Sequence, residues 1–279
     1  MLAPMKPSIV LDKSYLDGAP ANEVRALCDD YAALMPEELF YELITTRPES
    51  QKRCFSKLPD RFNPVLLVPS IGTLLRAEME HQVACSPIEA HIVNEDFEFN
   101  RKLREGTYVL EGDVLRNLAE WRASVAQDTK GFIQRWAVVH HFFPELNEIE
   151  WKDFPEAIQS ARQKVATDND FVRDIYASFL DEDAPKDAPS PESIAPEWVF
   201  FRWVQCQVLA SLRLFGRYQG TVPNSQGQAF VERIEHSMLD SYYLIYGSLV
   251  GRIATLDEEV REDFLSLLPN GDLVPPKTC

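Results

Sequence analysis

Apolar residues form short uninterrupted runs near both ends of this chain and helical stripes between them. The apolar run at residues 8–11 ends at Asp12, and such a run is typical of a buried strand. A helix is predicted over residues 22–34, with a brief second strand over residues 33–35. Pro36 suits the first turn of a further helix, which we expect to end at Pro48.

The middle of the chain changes to helical periodicity. Residues 62–69 contain one more apolar run and supply a candidate strand. Stripes at helical spacing then follow over residues 71–83, 108–125, 132–143, 154–165, 171–180 and 198–218. Residues 181–196 hold four prolines and five acids, so we expect a solvated loop there.

The last fifty residues return to mixed structure. A helix is predicted over residues 226–250, and its second half is apolar on nearly every side, which is typical of a buried helix. Residues 251–257 indicate a turn into a short strand that ends in an acid. An amphipathic helix over residues 258–268 and an edge strand at residues 273–274 complete an α/β pattern.

Composition narrows the function classes. Hydrophobic residues make up 45% of the 279 residues, enough for a packed core, so wholesale disorder is excluded. The formal net charge of −16 excludes a protein that coats nucleic acid through a broad basic surface. Residues 71–225 carry −9 of that charge and residues 1–70 only −2, so the charge lies mainly on the helical middle region.

Compartment is predicted from what the sequence lacks. No stretch of about 18 uninterrupted apolar residues occurs, and no signal-length apolar run precedes Asp12, so we expect neither a membrane span nor secretion. The five cysteines are scattered without a C-x-x-C pair, which disfavours a zinc site. Scattered single cysteines fit reduced thiols in the cytoplasm.

Four carboxylates occupy positions where a carboxylate is costly. Asp12 and Asp257 each end an apolar strand, and the carboxyl ends of parallel strands form the ligand crevice of α/β sheets. Asp240 is the only charge between residues 236 and 251, inside the apolar helix, and a buried carboxylate needs a partner or a metal. Glu42 borders the buried stripe of its own helix.

Each acid taken alone has an ordinary structural interpretation. An acid after a strand is commonly a turn or cap residue, and Asp240 could pair with Arg233 or Arg252. Glu38 and Glu42 alone indicate a solvated helix face. The order strand–Asp, helix–Glu, buried helix–Asp, strand–Asp is what favours a common site.

That order resembles the PIN-like nuclease family. The segment I-V-L-D-K-S at residues 9–14 is similar to the family's opening strand followed by Asp-x-Ser or Asp-x-Asn. Residues 35–43, from Met-Pro to Tyr-Glu-Leu, resemble its short strand, proline and Glu-Leu helix. L-D-S-Y-Y at residues 239–243 and A-T-L-D at residues 254–257 resemble its third acid and its Thr-x-Asp strand end, and this last pair is the most specific.

The resemblance implies an α/β fold with a PIN-like three-layer core around a short central parallel sheet. The core would comprise residues 1–70 and 226–279, and residues 71–225 would be mostly helical, part core completion and part insertion. Asp12, Glu42, Asp240 and Asp257 would be the catalytic residues of a metal-dependent endoribonuclease. They would hold one or two Mg²⁺ or Mn²⁺ ions, hard cations that prefer oxygen ligands.

Accessory roles follow for four further residues. Ser14 and Thr255 are placed to hydrogen-bond the ligands or phosphate oxygens. Glu38 and Glu259 are accessory ligand candidates, with solvated helix positions as the alternative for both. The expected substrate is RNA, cut by a metal-activated water.

Almost two hundred residues separate Glu42 from Asp240, far more than in the resembled family, so other functions stay open. One alternative is a catalytically inactive PIN-like module whose acidic pocket receives a basic partner. Another is a toxin or defence nuclease held in check by an antitoxin or other protein on the acidic helical insertion. A homo-oligomer is also compatible with the sequence.

Two further patterns carry weaker hypotheses. The neighbouring His140 and His141 point about 100° apart on a helix, so they are unsuited to sharing one ion, and we interpret all five histidines as structural or surface residues. Aromatic residues alternate with arginines over residues 198–218, a combination that can stack and clamp single-stranded RNA. The alternative is a core helix with a basic edge.

Overall fold

The computed structural model describes residues 6–91, 99–147, 150, 153–180, 185–221, 223 and 227–274. Within these residues, five short strands form one all-parallel sheet in the order β3-β2-β1-β4-β5. The strands are β1 (Ser8–Leu11), β2 (Ala32–Pro36), β3 (Leu66–Val68), β4 (Arg252–Ala254) and β5 (Asp272–Val274). The chain is therefore an α/β protein with a short central parallel sheet, and this part of the predicted fold class is confirmed.

β1 is the central strand, and the distant end of the chain completes the sheet beside it. Val10 pairs with Leu34 of β2 on one side, and Leu11 pairs with Ala254 of β4 on the other. All four residues of β1 are buried, as expected of a strand covered on both faces. This arrangement is compatible with a three-layer α/β fold.

The helices fall into three stretches of chain. The first contains α1 (Lys13–Gly18), α2 (Ala21–Asp30), α3 (Glu37–Thr45) and α4 (Pro48–Lys57). The middle stretch contains α5 (Ile71–His81), α6 (Arg101–Glu105), α7 (Asp113–Val138), α8 (Phe154–Thr167), α9 (Asn169–Phe179) and α10 (Val199–Arg217). The last contains α11 (Gln228–Val250) and α12 (Glu258–Leu267), and short 3-10 helices lie at Ile88–His91, Val139–Phe142 and Pro144–Asn147.

Three predicted boundaries were wrong. Pro48 begins α4 instead of merely ending α3, because the first helical position needs no backbone N–H. The stripes over residues 108–125 and 132–143 belong largely to the single helix α7, whose polar residues between the stripes lie mostly on its solvent-exposed side. α2 ends at Asp30, so the whole of β2 follows it.

α11 is the buried helix that the sequence predicted, and it packs directly on β1 and β4. Its fit against β4 is close: a Cβ added at Gly247 would lie 3.1 Å from the Cβ of Ile253. The helix ends at Gly251, whose φ of 77° is the left-handed conformation that glycine adopts readily. This turn returns the chain to the sheet and sets Asp257 at the carboxyl end of β4.

Some sequence predictions concern residues outside the described ranges, including the N-terminal five residues and residues 181–184 of the predicted loop. Residues 185–196 of that loop are turns and irregular chain, as predicted. Among the helices in the described ranges, none combines the length and apolar character that a bilayer crossing requires.

Candidate active site

Two acids follow neighbouring strands at the carboxyl end of the sheet. Asp12 comes directly after β1, and Asp257 comes shortly after β4. Each also begins the next helix: Asp12 Oδ1 accepts from the backbone N–H of Ser14 at 3.1 Å, and Asp257 Oδ1 from that of Val260 at 3.0 Å. Parallel strands end at one edge, so this register places the two acids at the same crevice.

Two hydroxyls bind Asp12 to the end of β4. Ser14 Oγ donates to Asp12 Oδ2 at 2.6 Å, and Thr255 Oγ1 donates to the same oxygen. Ser14 Oγ in turn accepts the backbone N–H groups of Leu256 at 2.9 Å and Asp257 at 3.1 Å. Thr255 Oγ1 accepts the N–H of Asp257 at 3.0 Å. The two hydroxyls thus orient Asp12 and connect the chain segments that carry both acids.

Asp12 is 1% exposed. Burial raises its pKa, while the hydrogen bonds from Ser14 and Thr255 oppose that rise. The donors therefore hold an oriented carboxylate at a position where an isolated charge would be costly.

Glu42, on α3, is buried and surrounded by donors. Its Oε1 lies 2.9 Å from Lys13 Nζ and 3.6 Å from His236 Nδ1, and Tyr243 donates its hydroxyl hydrogen to Oε2. Burial acts to raise the pKa of Glu42, but the contacts with His236 and Lys13 bring it below its usual value. The same hydrogen bond to Glu42 raises the pKa of His236. Glu42 is therefore an ionised carboxylate with cationic neighbours.

Asp240 is the acid of this set without a partner. It lies half-buried on α11, and no group in the described ranges donates a hydrogen bond to its side chain or forms an ion pair with it. Burial raises its pKa well above the usual value, and the next causes, in decreasing order, are the negative charges of Asp12, Asp257, Glu42 and Glu259. Asp240 is thus close enough to the other three predicted acids to be repelled by their charges, and a proton or a cation on its carboxyl group would relieve that repulsion.

The two arginines proposed as structural partners of Asp240 bind elsewhere. Arg252 lies in register with Asp272 of the neighbouring strand, and its Nε is 3.0 Å from that carboxylate. Arg233 lies two helical turns before Asp240 and donates to the hydroxyl of Tyr218 at 3.2 Å. The structural interpretation of Asp240 as half of either ion pair was therefore wrong.

A different arginine lies near Asp240. Arg213 of α10 lines with it a small cavity of about 30 Å³, which is large enough for a water molecule. The guanidinium of Arg213 is already engaged, with Nη2 at 2.9 Å from Asp263 and Nη1 at 3.4 Å from Glu259 on α12. Arg213 leaves the carboxyl group of Asp240 without a partner because the acids of α12 already occupy the guanidinium group of Arg213.

The two accessory acids have other contacts. Glu259 is half-exposed and accepts from Arg217 at 2.6 Å, although its charge still reaches Asp240. Glu38 is 3% exposed, so the solvated alternative for it was wrong. Its Oε1 accepts the N–H of Ile71 at the start of α5, and its Oε2 lies 2.8 Å from the hydroxyl of Tyr246. The pKa of Glu38 is raised, chiefly by burial, to about 7.

Sequence reasoning missed the donors around Glu42. Lys13 stands between Asp12 and Ser14 in the opening motif, and its position at the start of α1 is what directs it to α3. His236 and Tyr243 are four residues before and three residues after Asp240, so helical spacing places all three on one side of α11. That spacing was the available signal, whereas the sequence analysis interprets His236, like the other four histidines, only as a structural or surface residue.

The chemistry of the acids fits a divalent cation, but their oxygens are not gathered around one point. Within the described part of the chain, no group of three or more His, Cys, Asp or Glu side chains is arranged to hold a metal ion. The unpartnered carboxylate of Asp240 beside three other acids is a donor set suited to Mg²⁺ or Mn²⁺. Lys13 supplies a positive charge to Glu42 alone.

Comparison with known proteins adds no relative. No protein-family model matches the chain, and neither a curated protein nor a solved structure is similar to it. Any function assigned to this chain must therefore be argued from the chemistry of its own residues.

Proposed function

We propose that this chain is a Mg²⁺- or Mn²⁺-dependent endoribonuclease of the PIN-like type. The observation that carries the proposal is Asp240, an unpartnered carboxylate whose pKa is raised by burial and by Asp12, Asp257 and Glu42. Such an arrangement is costly unless a cation or a proton compensates it. The crevice at the carboxyl end of a parallel sheet is where α/β proteins bind ligands.

Asp12, Glu42, Asp240 and Asp257 are the residues that would hold the ion, and their side chains would have to turn toward it, since no three of them surround one point in the described part of the chain. When bound, a divalent cation would supply an activated water and neutralise charge on the scissile phosphate. Ser14 and Thr255 keep the carboxylate of Asp12 oriented by donating to one of its oxygens. In that network, each hydroxyl donates its one hydrogen to Asp12, and each hydroxyl oxygen accepts a backbone N–H.

A groove of about 640 Å³ leads to Glu42 and would receive the RNA strand. Its lining includes Lys13, His236 and Arg122, three side chains that can carry positive charge, together with the acids Glu232 and Glu235. Contact with Glu42 raises the pKa of His236, which favours its charged form. Lys13 and His236 are already paired with Glu42, so Arg122 is the cation of this groove that would attract the phosphate backbone, despite the net charge of −16.

Cleavage of RNA tests the proposal directly. We expect the purified wild-type protein to cut a labelled single-stranded RNA in MnCl₂ or MgCl₂ and to stop in EDTA. Asp240→Asn removes the unpartnered charge and should lower the cleavage rate at least about a hundredfold, because a metal ligand is lost. Circular dichroism of the same sample would show that the fold is retained.

Asp174→Asn is the matched control, because Asp174 is an exposed acid on α9 outside the crevice. This variant should cleave at the wild-type rate. Equal cleavage by wild type and Asp240→Asn would show that Asp240 takes no part in the cleavage and would overturn the proposal.

The ion pair between Lys13 and Glu42 favours a second candidate, a non-catalytic module that binds a basic partner. The ammonium group of Lys13 lies 2.9 Å from Glu42 and neutralises the charge of this acid. A Lys or Arg of a bound partner would form the same ion pair with Asp240. In this function the acidic crevice recognises a basic peptide and cuts nothing.

Calorimetry separates the two candidates. If the chain is the endoribonuclease, calorimetry should show that it binds Mn²⁺ and that Asp240→Asn lowers the affinity. The binding module should instead bind an Arg-rich peptide with micromolar affinity, lose that affinity in Asp240→Asn, and show neither Mn²⁺ uptake nor RNA cleavage.

A further inference from the structure

A second cleft, separate from the acid crevice, lies where α5, α7, α10 and α11 meet. Its volume is about 310 Å³, the lower end of the range for small-molecule sites. The rim is exposed and contains Gly72, Arg76 and Ser124, whereas the floor contains the buried side chains of Val125 and Tyr242. A Cβ added at Gly72 would meet nothing within 4 Å, so the rim is open on that side.

Aromatic rings from different helices line this cleft. Trp121 of α7 and Trp203 of α10 are both half-buried, and Tyr242 of α11 lies below them. Most other aromatic residues of α10 are packed in the core, as the core-helix interpretation of residues 198–218 expected. Trp203 is an exception that presents ring surface to a cavity. Ring surfaces of this kind stack on nucleobases without regard to base identity.

The guanidinium of Arg135 is the polar feature of the cleft. It lies 5.0 Å from the ring of Trp203, and its Nη2 donates to Gln207 at 3.0 Å. Its Nε is buried and has no hydrogen-bond partner among the described residues. A buried N–H without an acceptor is costly, so an oxygen of a bound molecule would satisfy it.

The remaining charges of the cleft leave room for an anion. Arg76 and Arg135 face the acids Glu38 and Asp128, and no ion pair joins any of these four within the described part of the chain. Both oxygens of Glu38 are occupied by Ile71 and Tyr246, and Asp128 is exposed and close enough to Arg135 for their charges to attract each other. The guanidinium of Arg76 is thus the charge most available to a phosphate.

The cleft adjoins the groove that leads to the acid crevice. Val125 of α7 lines both, and the preceding turn of α7 contributes Trp121 to the cleft and Arg122 to the groove. The ring of Trp121 also contacts Tyr41, which lines the groove, with 3.9 Å between ring centroids. A strand in the groove therefore has a continuous path of aromatic and arginine side chains into the cleft.

We propose that the cleft binds one unpaired nucleotide of a single-stranded RNA, with the base against Trp121 and Trp203 and the phosphate near Arg76. A base stacked on these rings is turned away from a pairing partner, as in the recognition of single-stranded RNA in general. This inference rests on the proposed function, because it assigns the cleft to the strand that the acid crevice would cut.

Binding measured without cleavage tests the inference. In EDTA, Asp240→Asn should bind a fluorescein-labelled octauridylate, raise its fluorescence anisotropy and lose part of its tryptophan fluorescence through base stacking. Adding Ser124→Glu places a negative charge at the rim and should weaken binding about tenfold and abolish the quenching. Ser160→Glu on α8 makes the same change of charge at an exposed site outside the cleft and should stay within about twofold.

Each outcome bears on the cleft. Equal weakening by Ser124→Glu and Ser160→Glu would overturn the inference, as would a duplex of the same sequence that binds as tightly as the single strand. Uridine monophosphate binding as tightly as the octamer would show that the occupant is a free nucleotide and not an RNA strand.

If instead the wild type cuts RNA but Ser124→Glu changes neither binding nor quenching, the cleft inference alone fails. Cleft-dependent binding without cleavage in Mn²⁺ would count against the endoribonuclease.

Discussion

At the scale of single residues, Glu38 shows how burial decides protonation. The hydroxyl of Tyr246 lies 2.8 Å from Glu38 Oε2 and 2.7 Å from the carbonyl oxygen of Pro69, yet it has only one hydrogen to donate. If Tyr246 donates to Pro69, the second contact is a hydrogen bond only when Glu38 carries a proton and donates to Tyr246. The pKa of about 7, raised chiefly by burial, agrees with that protonated form.

This protonation predicts a pH-dependent stability. The pKa of Glu38 rises from an ordinary 4.5 to about 7 on folding, so the folded state binds the proton more tightly. The contribution is fully present below pH 4.5 and is lost as the pH rises through 7, an amount on the order of 3 kcal/mol. Glu38→Gln mimics the protonated acid, so it should remove this loss. Urea denaturation of wild type and variant between pH 4.5 and 8 measures the difference.

The control for this prediction is Glu49→Gln, which changes an exposed acid on α4. Its unfolding free energy should follow that of the wild type at every pH. If Glu38→Gln lowers stability by the same amount at pH 5 and pH 8, Glu38 is ionised in the fold and the hydrogen-bond assignment is wrong.

At the scale of elements, buried charges join the helical region to α12. Asp263 of α12 is 6% exposed and binds Arg162 of α8 at 2.6 Å and Arg213 of α10 at 2.9 Å. Its neighbour Glu262 reaches the same arginines only at 3.7 and 3.8 Å and is largely exposed. Asp263 thus forms a buried ion pair with the two arginines, whereas its neighbour Glu262 forms an exposed one with the same arginines.

We expect the two versions to differ in energy. Asp263→Asn leaves Arg162 and Arg213 without their buried counter-charge and should lower the free energy of unfolding by about 3 kcal/mol. Glu262→Gln should change it by less than about 0.5 kcal/mol, because exposed ion pairs are screened by water. Urea denaturation at pH 7.5 gives both values, and similar losses in the two variants would contradict the assignment.

At the scale of the whole molecule, the charge of −16 opposes compactness. Like charges repel across the folded chain. At 0.1 M salt, the repulsion between charges more than about 10 Å apart is largely screened. In the proposed function, the acid crevice adds a local repulsion that a divalent cation would relieve more strongly than a monovalent salt, because carboxylate oxygens are ligands that Mg²⁺ and Mn²⁺ prefer.

Two salts at one ionic strength separate these contributions. NaCl should raise the Tm of the wild type by general screening, and MgCl₂ should raise it further through binding to the folded state alone. Asp240→Asn should keep the NaCl effect and lose the additional effect of MgCl₂. Identical melting curves of the wild type in the two salts, followed by differential scanning calorimetry, would argue against a divalent cation in the crevice.

The sequence by itself determined the α/β class, the approximate positions of the strands and most helices, and the acids at the strand ends. These are local properties: a short apolar run such as residues 8–11, which ends at Asp12, favours a buried strand, and helical stripes repeat within a few turns. The exceptions were also local, as at Pro48, where a proline suits either a helix end or a helix start.

Only the tertiary structure decided the partners of these residues. Arg252 binds Asp272 because strand register sets them side by side, and Glu38 receives the N–H of Ile71 from a helix that begins 33 residues later. Asp240 is left without a partner because Arg213 is engaged by α12. These contacts join distant parts of the chain through sheet pairing and helix packing, and no periodicity within one segment encodes which segments meet.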